Sequence, residues 1–502
     1  MRLTSSRSVL VWFCLAAVGF GFPIVVAAPL ALNRWTYIEV DHRRGEPEPG
    51  LELARKRFFG LAAADVNGDG YLDLVSGPYF YRNPGGDMTK PWVRTNLGID
   101  CDAMLFVDVD GDEFADCIAT ALPNVYWLEA QDRQGVSWKA ITAATAPATP
   151  HVNGQGYGLA QIVPGGKPEI LLSVGDGIRV FQIPDHPESG NWPSLLAAPG
   201  ASEQGLAVGD LDGDGWIDIV GGSDGPNGNQ KTPRSVTWWK NPRDTSKPWE
   251  AHEIGVVVDL KTSFDRLAVA DLNADGRADI IATSEWWLTG DPFTHLVWFE
   301  QPSPSKLGEW TRHVVLNACS LNNLDVADLD HDGDPDLVTC EHKGTGKRLF
   351  VLENDGHGRF SERVIDTGKE SHLGTRLFDL DGDGDLDMVS IAWDDYKMLH
   401  LWRNDAIPSR PPAVVLSRDG VDESAGGWKP RILRRSKNMW RKSSDESRFS
   451  VKDPTPSRRT FLGATGVTLI AAAARSSLEP IVQYCRQARD IERNLSGEDI
   501  ST

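Results

Sequence analysis

Cysteine is scarce, with six in 502 residues. One of them, Cys14, sits in an apolar N-terminal stretch, so a disulfide-stapled scaffold is excluded. Cys319 and Cys340 flank one acidic loop and are candidates for a bridge or for buried thiols; Cys101 and Cys117 are a second such pair. Positive charge is also short. Lys and Arg number 51 against 71 Asp and Glu, a net charge of −20. The body of the chain lacks the basic surplus that a phosphate backbone requires, and no nucleic-acid partner is expected. No His-Glu-x-x-His, P-loop or dinucleotide fingerprint occurs, so the enzyme classes that carry them gain no support. Long apolar runs are confined to the ends. Arg2 and Arg7 precede an apolar run from Val9 to Val26 and then Ala27 and Ala28, so residues 1–31 read as a secretory signal. Left uncleaved, that run is long enough to anchor the chain in a membrane. A secreted, periplasmic or cell-surface location is expected.

What the chain has in abundance is one acidic spacing. In Asp379-Leu380-Asp381-Gly382-Asp383-Gly384-Asp385-Leu386-Asp387, carboxylates occupy positions 1, 3, 5 and 9 and glycine occupies position 6. Oxygen ligands so spaced can curl around one hard cation, and Ca²⁺ takes six to eight oxygens. The same ligand positions recur as Asp65, Asn67, Asp69 and Asp73, then as Asp108, Asp110, Asp112 and Asp116. They return as Asp210, Asp212, Asp214 and Asp218, and as Asp271, Asn273, Asp275 and Asp279. The remaining sets are Asp328, Asp330, Asp332 and Asp336, and Asp379, Asp381, Asp383 and Asp387. A seventh repeat, Gly158 to Ile170, keeps the frame but places Gln161, Val163 and Gly165 where carboxylates belong. An EF-hand is excluded, because position 12 is Ser76, Ala119, Gly221, Ala282, Thr339 or Ser390 instead of Glu, and the flanks read as strands.

Each repeat supplies four short apolar runs bounded by turn residues, the pattern of propeller blades. Leu267 to Ala270 leads into a loop, Ile280 to Thr283 leaves it, an aromatic run such as Val297 to Glu300 follows, and a fourth run opens at a tryptophan such as Trp310. The last repeat lacks its fourth run, and Trp35 to Val40 at the other end of the sequence matches it. The expected fold is all-β: a seven-bladed β-propeller over 33–406, closed by an N-terminal strand, with a largely disordered or helical C-terminal tail. Closing the ring in this way hides two sheet edges.

These tandem loops between strands resemble the FG-GAP/VCBS repeat family, whose members include the integrin α-subunit head. The resemblance implies up to six structural Ca²⁺ on one rim, held by the 24 side chains named above. It puts the second loop in doubt, where Glu113 replaces the glycine at position 6. The opposite rim, where first strands begin and second strands end, would then bind a ligand. The candidates there are Asp265, Arg266, Glu285, Trp286, His342, His372, Arg376, Trp393 and Asp394. Their carboxylates, cations and aromatic faces suit a glycan or a protein ligand, and the first reading is a binding or adhesion module. Some propellers with such repeats are sugar dehydratases or polysaccharide lyases, so the alternative is a carbohydrate enzyme on that same rim.

Residues 407–456 read as a basic linker containing Pro and Ser. Within 457–502, Ser457-Arg458-Arg459-Thr460-Phe461-Leu462-Gly463 and the apolar run to Ala474 resemble a twin-arginine export signal. Met439 stands upstream as a possible start, so this tail reads either as the beginning of a fused neighbouring frame or as a basic tail whose helix packs on the propeller or a membrane surface.

Overall fold

The computed structural model describes residues 28–408, apart from 47, 49–50, 55–56, 113–114, 224–234, 257–262, 286–292, 304–308 and 372. The leader up to residue 27, Glu113, Trp286, His372 and the tail from 409 onward therefore lie outside the described residues. Within the described residues the chain forms seven four-stranded antiparallel sheets. In six of them the strands are consecutive; the seventh has the order Trp35–Asp41, Leu399–Asn404, Asp387–Ile391, Leu373–Phe378. The N-terminal strand thus completes the last blade, with Trp35 opposite Asn404 and Glu39 opposite His400.

Alternation makes this closure work. Ile38 and Val40 face the cluster shared with the first blade, which holds Leu61, Leu74 and Tyr79. Trp35 and Tyr37, on the other face of the same strand, pack on the cluster shared with the sixth blade around Val338 and Val351. The same logic applies all round the ring, since each of the seven apolar clusters joins two neighbouring blades. The fourth strands start one residue after their tryptophans, at Val93, Glu250 and Thr311. Trp92 and Trp249 are buried as anchors of those turns. Cys101, Cys117, Cys319 and Cys340 are buried free thiols, which settles the alternatives left by the sequence.

Candidate functional site

The six acidic loops share one backbone design. Carboxylates at positions 1 and 5 accept N–H groups from later in the loop: Asp271 from Asp275 and Gly276 at 3.1 and 2.8 Å, and Asp275 from Arg277 at 2.9 Å. In the five loops whose position 6 is described, two residues take the left-handed conformation, at position 4 as well as position 6; in the second loop Gly111 takes it at position 4. In the fourth loop the two are Gly213 and Gly215; in the fifth they are Ala274 and Gly276. Sequence reasoning assigned this need to position 6 alone, although glycine at position 4 in four loops was a readable signal.

The carboxylate at position 9 has a further task. Asp279 accepts the N–H of Leu272 at 3.1 Å and of Gln301 at 2.9 Å, tying the loop to the end of the third strand. Asp73, Asp218, Asp336 and Asp387 bond in the same way to Val66 and Asn83, Leu211 and Asn241, Leu329 and Asn354, and Leu380 and Asn404. Burial pushes Asp73, Asp116 and Asp279 up to about 8, and Asp218 and Asp336 up to about 7. The amide after the third strand also reaches across the blade seam. Asn83 donates to the Leu380 carbonyl at 3.0 Å, Asn241 to Ile162 at 3.1 Å and Asn354 to Leu272 at 3.0 Å. The Asn-Pro, Gln-Pro or Asn-Asp pair that follows the aromatic strand in five of the seven blades carries that signal in the sequence.

The loops fit a cation by their uncompensated oxygens. In the seventh loop Asp379 Oδ1, both oxygens of Asp381 and Asp383 Oδ2 are buried without a donor. Burial and its acidic neighbours push Asp383 up to about 6. Ligand atoms of Asp108, Asp110 and Asp116 converge within 4.8 Å, as do those of Asp210, Asp212 and Asp218, and of Asp328, Asp330 and Asp332. The fourth and fifth loops are partly neutralised already. Lys240 pairs with Asp212 and Asp214, Arg243 lies 2.7 Å from Asp214, and Arg277 pairs with Asp275.

At the other mouth the structure separates scaffold from exposed chemistry. Asp102 accepts Phe59 and Gly60 N–H groups at 2.8 Å, and buried Asn323 is bonded to Ser371 and Thr375, so both hold blade starts in place. Arg266 and Arg376 instead line one axial pocket with Phe59, Gln155, Tyr157 and Gln204. Arg266 is aimed by Gln155 Oε1 at 2.8 Å, and its Nε lies 3.7 Å from Asp265. Arg376 lies 5.1 Å above the Tyr157 ring. Burial pushes Asp265 up to about 7, with Arg266 opposing.

Above the pocket Trp393 stacks on Phe59 with ring centres 5.1 Å apart, and His151 meets both rings edge-on. His151 Nδ1 lies 2.6 Å from Glu203 Oε1, and that bond raises its pKa. Glu285, His342 and Asp394 are brought together beside this group, with Glu370 among them. Sequence reasoning missed Glu370, Tyr157 and Phe59, because nothing local marks a residue as facing the axis.

Residues 210–282 and 328–390 match the family model described as FG-GAP-like repeat. No curated protein matches the sequence. Among solved structures, an Agrocybe aegerita lectin that recognises non-reducing terminal N-acetylglucosamine is 17% identical. That alignment covers 71% of this chain and 93% of the lectin, with a TM-score of 0.40. The V. cholerae biofilm matrix protein Bap1 is 12% identical over 76% of this chain and 92% of its own, with a TM-score of 0.36. An α-L-arabinanase from Penicillium chrysogenum, complexed with arabinobiose, is 12% identical over 73% and 97%, with a TM-score of 0.38.

Proposed function

We propose that this seven-bladed propeller with FG-GAP-like repeats is a Ca²⁺-stabilised module whose axial mouth binds an acidic carbohydrate. Calcium would be held by the acidic loops, where it supplies the positive charge that the buried carboxylates lack. A signal at 1–31 fits this reading, because weak oxygen-ligand calcium sites belong to extracellular modules. The observation that carries the ligand class is the pair Arg266 and Arg376 on one pocket of a strongly acidic protein. A guanidinium is a planar fork matched to a carboxylate, and two of them favour a uronate over a neutral sugar. Gln155 and Gln204 supply hydroxyl partners, and Trp393 with Phe59 supplies an apolar wall.

Titration of uronate oligosaccharides and neutral ones of equal length tests this. Uronates should bind, and Arg266→Lys or Arg376→Lys, which keep the charge but lose the planar fork, should weaken them at least tenfold without shifting the thermal melt. Equal binding of neutral and acidic sugars, or capture of a protein ligand alone, overturns the reading.

A second reading has its own observation: His151, paired with Glu203, is electrostatically coupled to Asp265 and Glu285. A base there would remove the proton from the carbon next to a uronate carboxylate held by arginine. The electron pair would form a carbon–carbon double bond as the glycosidic oxygen leaves and is protonated. Accumulation of unsaturated products from the same oligouronates, abolished by His151→Ala, separates the enzyme from the binding module.

A further inference from the structure

The side chains around His342 have the form of a metal centre distinct from the acidic loops. His342 is 3% exposed, at the exit of the second strand of blade six. Its Nδ1 lies 2.8 Å from Glu285 Oε1, at the end of the second strand of blade five. Metal-ligating imidazoles show this arrangement: a carboxylate accepts from one ring nitrogen, fixes the tautomer and leaves the other nitrogen as the ligand. On the Nε2 side stand Glu370 Oε1 at 3.6 Å and Asp394 Oδ2 at 3.5 Å. These separations are too long for hydrogen bonds. They are close to the edge of a tetrahedron whose ligands lie about 2.1 Å from a central ion, roughly 3.4 Å. One atom from each of the three side chains lies within 4.8 Å of the other two.

Glu370 is itself held rigidly. It accepts the N–H groups of Trp393, Asp394 and Asp395 at 2.8–3.0 Å, so the turn that carries Asp394 is built around it. Lys343 Nζ, 2.9 Å from Asp394 Oδ2, supplies positive charge at the outer edge of the cluster.

We propose that His342, Glu370 and Asp394 bind a borderline divalent ion of the Zn²⁺ class, with Glu285 as the positioning residue behind the imidazole. One nitrogen with two carboxylate oxygens favours such an ion over Ca²⁺, which takes oxygen alone. Three protein ligands leave a fourth position open toward the mouth, the composition of a site that engages a ligand. The inference is independent of which sugar the mouth takes.

The experiment uses the full chain, saturated with Ca²⁺ to fill the acidic loops, and titrates Zn²⁺ alone by calorimetry. Wild type should show one Zn²⁺ site that excess Ca²⁺ does not displace. Asp394→Ala, at a half-exposed position, should fold normally and weaken that site at least tenfold. Glu285→Gln should weaken it 10–100-fold while leaving the calcium-loaded melt unchanged. Lys343→Met, which removes the competing cation, should tighten it. Zn²⁺ stoichiometry and affinity unchanged in both Asp394→Ala and His342→Ala would overturn the site, as would full displacement by Ca²⁺. Cobalt as a probe gives a second readout, because a four-coordinate site with a nitrogen ligand produces a visible band that Asp394→Ala should abolish.

Discussion

In the third blade Gln161 donates its amide to the carbonyls of Val163 and Gly165, the latter at 3.1 Å. In the fifth blade the same three positions carry Asp271, Asn273 and Asp275. Both loops keep an acid at position 9. Glu169 accepts Ile162 and Val163 N–H groups at 2.9 and 3.3 Å, where Asp279 accepts Leu272 and Gln301. Both also fasten to the preceding blade's loop, the third by Lys167 on the Val109 carbonyl and the fifth by Gln301 on Leu211. The comparison divides the motif in two. Position 9 is a backbone clamp that a blade needs whether or not it has a metal. Positions 1, 3 and 5 gather oxygens, and only the third blade has no carboxylate at any of them.

Chelation should break the likeness most severely. Six loops would be left with clustered carboxylates, while the third loop would not change. A site held at 100 times its dissociation constant contributes about 2.7 kcal/mol, so even two filled loops would cost roughly 5 kcal/mol on removal of calcium. Calorimetry with and without chelator should show a large downward shift of the melt. An unmoved melt would mean that the carboxylates are tolerated without a cation.

Removing the clamp should hurt both kinds of loop in chelator. Asp279→Ala leaves two buried backbone N–H groups unbonded, and Glu169→Ala leaves one buried and one half-buried in the third blade. Each should cost about 2–6 kcal/mol in urea unfolding, at 1–3 kcal/mol per orphaned group. A silent Asp279→Ala in chelator would show that position 9 acts through the metal alone.

Acidity offers a gentler perturbation. Burial raises the position 9 acids, up to about 8 at Asp73 and Asp279, and it raises Glu169 as well. A carboxyl whose folded pKa lies above its unfolded value binds the proton more tightly when folded. Its contribution is therefore complete below the unfolded value and is lost as pH rises through the folded one. In chelator, stability should climb as pH falls from about 8 to 6.5. Below that, His400 acts in the opposite sense. Burial lowers it to about 4, so its contribution is complete above pH 6.5 and is lost as pH falls toward 4. His400 lies 3.0 Å from the Tyr37 hydroxyl on the closing strand, so that seam should loosen first in acid. Urea midpoints that fall steadily from pH 8 downward in chelator would refute this sign.

The legible part of the molecule is the part written in short-range pattern. Trp35 to Val40 could be placed in the last blade because its side chains alternate and the blade lacked one strand. Strand ends and loops followed from acidic spacing and aromatic runs. The left-handed turn at position 4 was missed because Ala274 and His331 hide it in two loops, and attention to position 6 hid it in the others. At the mouth, Glu285, His342 and Asp394 were marked by their positions at strand exits, and the structure brings them together. Glu370 was not marked, because its work is to cap a turn that lies more than twenty residues away in sequence.

The smallest predicted effect concerns that hidden turn. Ala274 has φ 55° and His331 φ 63°, while Gly68, Gly111, Gly213 and Gly382 occupy the same loop position with φ between 68° and 80°. Left-handed backbone costs an L-residue about 1–2 kcal/mol relative to the right-handed form. Glycine removes that strain but adds unfolded-chain entropy of about 0.4–1 kcal/mol. Ala274→Gly should therefore gain a net ~0.5–1 kcal/mol, a shift of about a degree or two in the melt. Gly213→Ala in the fourth loop is the reciprocal change. Nothing lies within 4 Å of the added Cβ, so any loss there is conformational, with no contribution from steric contact. It should lose about as much as Ala274→Gly gains, with or without calcium, because the turn belongs to the backbone frame that the six acidic loops share. A gain from Ala274→Gly that vanished in chelator would instead place the strain in the metal-bound geometry, and the fourth position would then join positions 1, 3 and 5 on the metal's side of the division.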